Sequence, residues 1–313
     1  MEILVVDGLS DDFTWQVIGE YSEKFSFLHG LRNSKKITPA ALNLGIKHSM
    51  GEIIIRVDAH ASLSPDYLKL AVETLLTSSA DNVGGSMETL PSKEGIVPKA
   101  IAAVMSHPFG VGNSPFRVPR DKSGWVDTVF GGCYRREVFD RIGLFNEQLA
   151  RGQDMEFNRR LLHAGGRILL VPRLRSNYYA SPDLTSFWRH NVHDGEWAIL
   201  PFAYSRIVPI RLRHAIPAVF VMTILAMAIG GAWISWVRNC FYGLCLFYLA
   251  LSLISAAHIM WRERNPLLIF FMPLVFGMRH FAYGLGSLLG LLRVLGKLRI
   301  SRYLILRDYF SSS

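Results

Sequence analysis

Hydrophobic and polar positions divide the chain into two parts of different character. Up to about residue 200, short apolar runs alternate with amphipathic stretches. MEILVVD is a β-branched run that ends on Asp7 and leads into a polar loop at 8–12. A helix is predicted over about 14–24, then a strand at FSFLHG. Thr38-Pro39 reads as a helix N-cap with proline at the first helical position, and Gly51 stops that helix after about Met50. GEIIIRVD is the next strand, and Ser64-Pro65 opens a helix through about Leu76. The stretch 90–125, rich in Pro, Gly, Ser and basic residues, reads as long mobile loops. A turn at 131–143, the amphipathic helix EFNRRLLHAG and the strand RILLVP follow. The alternation predicts an α/β domain with a mostly parallel sheet. Ligands of such sheets bind at the carboxyl ends of strands, where Asp7 and Asp58 both lie.

Beyond about residue 205 the pattern changes. The uncharged apolar stretches 216–236 and 241–261 are each long enough to cross a bilayer. Trp233, Trp236 and Trp261 stand at their ends, where interfacial anchors belong. A third stretch, 266–292, is interrupted by Arg279-His280 and reads as one tilted span or as a hairpin of two short helices. Charge favours the hairpin. With a cytoplasmic N-terminal domain, three full spans would put Arg293, Lys297, Arg299, Arg302 and Arg307 outside, against the positive-inside tendency. The expected organisation is an α/β domain over 1–205 and a membrane domain of three to four helical segments over 206–313.

Charge supports that division. The chain of 313 residues carries a formal net charge of +9. From Arg206 onward twelve Lys+Arg face two acids, Glu263 and Asp308, whereas the preceding residues hold 22 Lys+Arg and 23 acids. Basic residues that flank apolar runs point to a membrane surface and away from nucleic acid. Cys133, Cys240 and Cys245 show neither metal spacing nor an even disulfide framework and read as small buried hydrophobes. Glu2, Asp7, Asp11 and Asp12 break any apolar leader, so no signal peptide is expected. No G-x-G-x-x-G follows a strand, which argues against a dinucleotide-dependent oxidoreductase.

Four places carry candidate chemistry. Asp58-Ala59-His60 ends an apolar strand. A carboxylate there suits a hard divalent cation, which Mg²⁺ sites share with substrate phosphates. His60 would add a nitrogen better suited to Mn²⁺. The plain alternative is a solvated loop with a capping Asp. Asp7 could accept hydrogen bonds from a nucleobase or ribose, or close an Asx turn. Asp154 opens an amphipathic helix, either as a dipole-favoured acid or as a general base acting on a hydroxyl. Gly131-Gly132 would let backbone approach a substrate closely, and Arg135 and Arg136 could contact phosphate.

In this order and spacing the pieces resemble the family 2 glycosyltransferases, above all the membrane-bound glucosyltransferases of succinoglycan-type exopolysaccharide synthesis. EILVVDGLSDD is similar to the family's strand and D-G-x-S-x-D loop. ALNLGIKHSMGEIIIRVDAH resembles its A-x-N-x-G helix and D-x-D strand. FGGCYRREVFDRIGLFNE resembles its G-G-x-x-R-R-x-x-F acceptor loop, and GQDMEFNRRLLHAGGRILL its [EQ]-D helix. The resemblance implies a GT-A fold and an inverting reaction. Asp7 and Asn43 would serve the nucleotide pocket, and Asp58 with His60 would bind Mg²⁺ or Mn²⁺ and the diphosphate. Gly131, Gly132, Arg135 and Arg136 would meet the acceptor, and Asp154 would be the base. Two departures accompany it. His60 replaces the second acid of D-x-D, and the family's first strand has no counterpart ahead of Met1. WRHNVHDGEW at 188–197 lacks the Q-x-x-R-W pattern of processive polymerases, which implies addition of single sugars. His190, His193 and Trp197 would either cover the donor site or form an interfacial helix.

The expected protein is a glycosyltransferase of the bacterial inner (cell) membrane, multi-pass, with its catalytic domain cytoplasmic. Its partners would be a UDP-sugar donor (UDP-glucose for preference), a polyprenyl-diphosphate-linked saccharide acceptor, membrane lipids and other polysaccharide-assembly proteins, with no nucleic acid. Transfer to polyprenyl phosphate itself is one alternative. A truncated, non-catalytic membrane subunit of an assembly complex is the other.

Overall fold

The computed structural model of the chain describes residues 1–59, 61–204 and 212–295. Its N-terminal elements follow the hydrophobic pattern closely. Strand β1 spans Ile3–Asp7, helix α1 Thr14–Lys24, strand β2 Leu28–Arg32 and helix α2 Thr38–His48. Pro39 lies in the first turn of α2, where its missing N–H has no intrahelical partner to lose. Strand β3 (Ile53–Ile55), strand β4 (Ala61–Leu63) and helix α3 (Tyr67–Thr77) come next.

Part of the stretch expected to be loops forms helices instead, and a strand precedes it. Strand β5 runs over Asn82–Leu90, helix α4 over Ile96–Met105, helix α5 over Pro108–Val111 and strand β6 over Gly124–Trp125. Two glycines hide β5 from a propensity reading, and the packing explains them. A Cβ at Gly84 would run into Val129, and one at Gly85 would overlap the carbonyl of Leu174. The expected turn at 131–143 is strand β7 (Phe130–Arg135) followed by helix α6 (Arg136–Ile142). Helix α7 (Gln153–His163), strand β8 (Ile168–Tyr179) and helix α8 (Leu184–Ile199) complete the domain.

The α/β class is as expected, but the main sheet is mixed where a mostly parallel one was expected. Its order is β3-β7-β5-β8-β4, with β6 also on β8. Among the described residues only β5 and β8 run parallel within it. The reason lies in the long excursion between β5 and β7. The chain leaves the sheet for α4 and α5 and returns between β3 and β5, antiparallel to both. Strands β1 and β2 form a separate parallel pair. Glu2 Oε1 joins the two sheets by accepting hydrogen bonds from the amides of Met50 (2.6 Å) and Gly51 (3.1 Å).

Alternation along the strands sends side chains to opposite faces. Cys133, Val83 and Leu174 pack with Tyr67, Ala71 and Leu75 of α3. Tyr134, Ile168 and Leu170 face the other way, onto Phe139, Phe145, Phe157 and Leu161. Burial pushes the Cys133 thiol up to about 12, which keeps it protonated and inert. Cys133 is the buried hydrophobe expected, whereas Cys240 is exposed.

Three further helices, α9 (Leu212–Gly230), α10 (Ser235–Glu263) and α11 (Leu268–Leu295), are long and apolar enough to cross a membrane. Helix α11 is one unbroken helix, so the hairpin expected at 266–292 does not form. The pair that suggested a break is accommodated by partners. Arg279 bonds Asn191 of α8 and lies 3.6 Å from Asp194, and His280 Nε2 meets the Phe109 carbonyl at 2.7 Å. The domain clasps α11 along its length. Apolar α4 covers Leu268, Met272, Val275 and Phe276, and α8 covers the second half.

The α8–α11 contact depends on small residues, as close helix packing in lipid does. A Cβ at Gly195 would overlap the Tyr283 carbonyl, and one at Gly286 the Val192 carbonyl. Gly195→Ala should therefore cost about 1–3 kcal/mol through overpacking. Thermal denaturation of the detergent-solubilised chain would reveal it, and an unchanged midpoint would mean that the two helices separate freely. Arg206, Arg211, Lys297, Arg299, Arg302 and Arg307, like His60, lie outside the described residues.

Candidate functional site

Strand β3 aims its end at the start of α7, and Arg56 joins the two. Its Nη2 donates to Asp58 Oδ1 at 2.7 Å, and its Nη1 pairs with Asp154 Oδ1. The Arg56 side chain is 8% exposed, against 16% for Asp58 and 36% for Asp154. Burial disfavours the charged guanidinium, but Asp154 and Asp58 outweigh that and raise its affinity for the proton. The result is a fixed cation between two carboxylates that stand far apart in sequence. Asp154 sits in the first turn of α7, after Gly152 at φ 73°. The turn delivers the Asp154 carboxylate to Arg56, with Oδ2 outside that pair.

Arg56 was not among the residues expected at the site. Its position two residues before Asp58, inside an apolar strand, was the available signal, since a strand interior seldom buries an arginine without a partner. The expected Gly131 and Gly132 lie directly beside it. Gly132 accepts the Arg56 amide at 3.0 Å. Gly131, at φ 70°, leaves 3.2 Å between the Arg56 carbonyl and a Cβ placed there. A side chain at Gly131 would crowd this backbone, whereas one at Gly132 would meet the Tyr134 ring, so Gly131 lets β7 pass close to Arg56.

The other expected residues are placed as follows. Asp7 is buried and closes a local turn, accepting from Ser10 Oγ at 2.5 Å and from the Ser10 amide. Asn43 commits its whole amide to the loop after α6. Nδ2 donates to the Phe145 carbonyl (2.9 Å) and to Glu147 (3.0 Å), and Oδ1 accepts from the Phe145 amide (2.9 Å). Arg135 and Arg136 cap helices. Arg135 donates to the Leu75 carbonyl near the end of α3 at 2.6 Å, and Arg136 donates to the carbonyls of Ser49 and Gly51 at 2.7 Å beyond α2. Cations at helix C-termini satisfy orphan carbonyls there, so these two guanidinium groups hold the scaffold. Trp197 is buried with Leu149 and Leu200, and α8 packs on α11.

A second polar cluster ties the α7 entry to the membrane helices. Asp194 on α8 accepts from Arg151 at 3.2 Å, with His190 Nε2 at 3.5 Å and Arg279 at 3.6 Å. Burial disfavours the Asp194 carboxylate, but these cations outweigh it and hold it below the usual carboxylate range. Arg213 at the start of α9 pairs with Asp127 at 2.8 Å. The loop that presents Asp154 is thus fastened to α8 and, through Asp194, to α11.

Among the described residues no group of three or more His, Cys, Asp or Glu is arranged to hold a metal. Asp58 offers one carboxylate oxygen beside the one that Arg56 occupies. A hard cation shared with diphosphate oxygens fits that donor set, because Mg²⁺ takes few protein ligands and completes its shell from phosphate and water.

Residues 1–143 match the model of the Glycosyl transferase family 2. Across 93% of this chain and 88% of its own length, a Methanococcus voltae protein is 26% identical; it is the dolichyl N-acetyl-alpha-D-glucosaminyl phosphate 3-beta-D-2,3-diacetamido-2,3-dideoxy-beta-D-glucuronosyltransferase. The succinoglycan biosynthesis protein ExoA of Rhizobium meliloti is 28% identical over 60% of this chain and 57% of its own length. Among solved structures, S. aureus TarS 1-349 in complex with UDP aligns over 91% of this chain and 80% of that one, at 17% identity and a TM-score of 0.43. The chain is thus similar to family 2 glycosyltransferases over its first 143 residues, within an α/β unit that is followed by apolar C-terminal helices.

Proposed function

We propose that the protein is a membrane-anchored inverting glycosyltransferase that moves a single hexose, glucose from UDP-glucose, to a lipid-linked saccharide. The observation that carries this reading is the Asp58–Arg56–Asp154 bridge, which joins a strand-end carboxylate to a helix-start carboxylate in one site. The similarity to a transferase that acts on a dolichyl-linked sugar phosphate supports a lipid-linked acceptor. The apolar helices support its use at a membrane, with the domain on the cytoplasmic face of a bacterial cell membrane and the basic segments toward anionic lipid.

Asp154 takes the proton from an acceptor hydroxyl. The oxygen then attacks the anomeric carbon as the bond to the nucleotide diphosphate breaks, and the configuration inverts. One displacement needs one base, so no second carboxylate has to form a covalent intermediate. Arg56 holds the Asp154 carboxylate in a fixed orientation and offsets the charge of Asp58. Mg²⁺ or Mn²⁺ would be held by Asp58 together with the diphosphate, and would stabilise the departing charge as a Lewis acid. Asp7 would serve the nucleotide from the end of β1. Asn43 would act by fixing the 145–147 loop, and Gly131 and Gly132 by opening room for the acceptor.

Asp58→Ala tests the metal half of the reading. It should weaken Mn²⁺-dependent UDP binding by about tenfold or more, the scale of a lost charge-assisted contact. Binding as tight as wild type would remove Asp58 from the site.

A further inference from the structure

A cleft of about 1030 Å³ lies where the catalytic domain meets the turn between α10 and α11. One wall is the end of β5, from Ser86 to Pro91. The facing wall is a bulge in β8. Gly85 pairs with Val171 and Ser86 with Arg175, so residues 172–174 loop out of the ladder and carry Arg173 to the rim. Lys99 of α4, Arg117 and Arg120 add cations, and the last turn of α10 contributes Arg262.

Three features mark the cleft as a site for an anion. Six cations line it against three acids, Glu88, Asp121 and Glu263, and Glu263 is already bonded to Arg262 at 2.8 Å. Ser86 Oγ, Thr89 Oγ1 and Arg117 Nη1, all on lining residues, are buried without a hydrogen-bond partner among the described residues. Buried polar atoms are seldom left so, and a ligand with acceptor oxygens would satisfy those that reach the cleft. Burial also pulls the Arg117 guanidinium below its ordinary range, which an adjacent anion would reverse.

The rest of the lining and its position identify the kind of anion. Ala102, Ala103, Met87, Leu90 and Leu268 give the cleft an apolar side. Trp261 at the end of α10, Leu267 in the turn and Phe270 at the start of α11 are 80%, 57% and 78% exposed, as residues that dip into a bilayer interface would be. The cations therefore stand at the depth of lipid phosphates. The bulge is also tied to the reaction centre. Arg175 accepts the Ser64 amide at 3.1 Å, at the end of the short strand β4 that follows Asp58.

We propose that this cleft binds the phosphate or diphosphate of the lipid-linked acceptor, with cations on the head group and the α4 side against the first part of the apolar chain. The proposal rests on the glycosyltransferase reading and adds the place at which the carrier is held. Bound there, the lipid presents its distal sugar toward Asp154 without leaving the membrane surface.

The test uses the full chain in phosphatidylcholine nanodiscs, with UDP and polyprenyl phosphate as separate probes. Arg173 and Arg175 are exposed and without ion-pair partners among the described residues, so R173Q/R175Q should fold as wild type does. Loss of charge-assisted contacts should weaken polyprenyl phosphate binding by about tenfold or more and leave UDP binding within twofold. R117Q should act in the same direction. Polyprenyl phosphate binding at wild-type strength in both variants would overturn the proposal. An equal loss of UDP binding would reassign the cleft to the nucleotide diphosphate. Equal displacement of polyprenyl phosphate by phosphatidylglycerol would reduce it to a general headgroup site. Failure of the wild-type chain to bind UDP would instead refute the underlying glycosyltransferase reading.

Discussion

Asp154→Asn should lower sugar transfer by about 10²–10⁴-fold, the usual contribution of a positioned general base. UDP binding should stay within a few fold, because the base acts on the acceptor hydroxyl and not on the donor. The amide keeps the shape of the carboxylate and can still meet Arg56, so the fold is little disturbed. Transfer measured as radiolabel moved from UDP-sugar into a lipid extract gives the first number, and calorimetry with UDP gives the second. Transfer at near wild-type rate would leave Asp154 as no more than a first-turn acid favoured by the helix dipole.

Replacement of Arg56 by Met should affect stability as well as activity. The substitution leaves Asp58 and Asp154 close together without the cation that separates them. Breaking a buried pair by removing one partner costs about 3–5 kcal/mol. Asp154 retains 36% of its side-chain exposure, so water screens part of the loss and the lower end of that range is expected. The double variant Arg56→Met/Asp154→Asn should be less destabilised than the sum of the two single changes, since one of the two uncompensated charges is gone. Urea denaturation of the four proteins measures that coupling. Strict additivity would mean that Arg56 and Asp154 do not interact. Both Arg56 variants should be impaired in transfer, because a base that is no longer oriented acts seldom.

The elements with a clear period were legible in the sequence. Helix α1 spans Thr14–Lys24 as expected, and α2 starts at its Thr-Pro pair. Elements set by tertiary contact were not. Strand β5 contains Gly84 and Gly85 because Val129 and Leu174 press against it, and no local propensity encodes neighbours so distant in sequence. Helix α4 was obscured by the Pro and Gly that flank it, and α11 by an Arg-His pair whose partners, Asn191 and Phe109, come from distant segments. The same holds within the site. The candidates Asp58 and Asp154 could be chosen from strand-end and helix-start positions, but not the cation that joins them. Arg135 and Arg136 show the converse. Adjacent arginines after a glycine pair looked available for phosphate, while the fold uses them on the C-termini of α3 and α2.

The most direct test of the account is a calorimetric titration of the purified, detergent-solubilised chain with UDP, with and without Mn²⁺. The account predicts binding that requires the metal and weakens when Asp58 is replaced by Ala. Absence of UDP binding in both conditions, from a chain that is folded by its thermal transition, would contradict it.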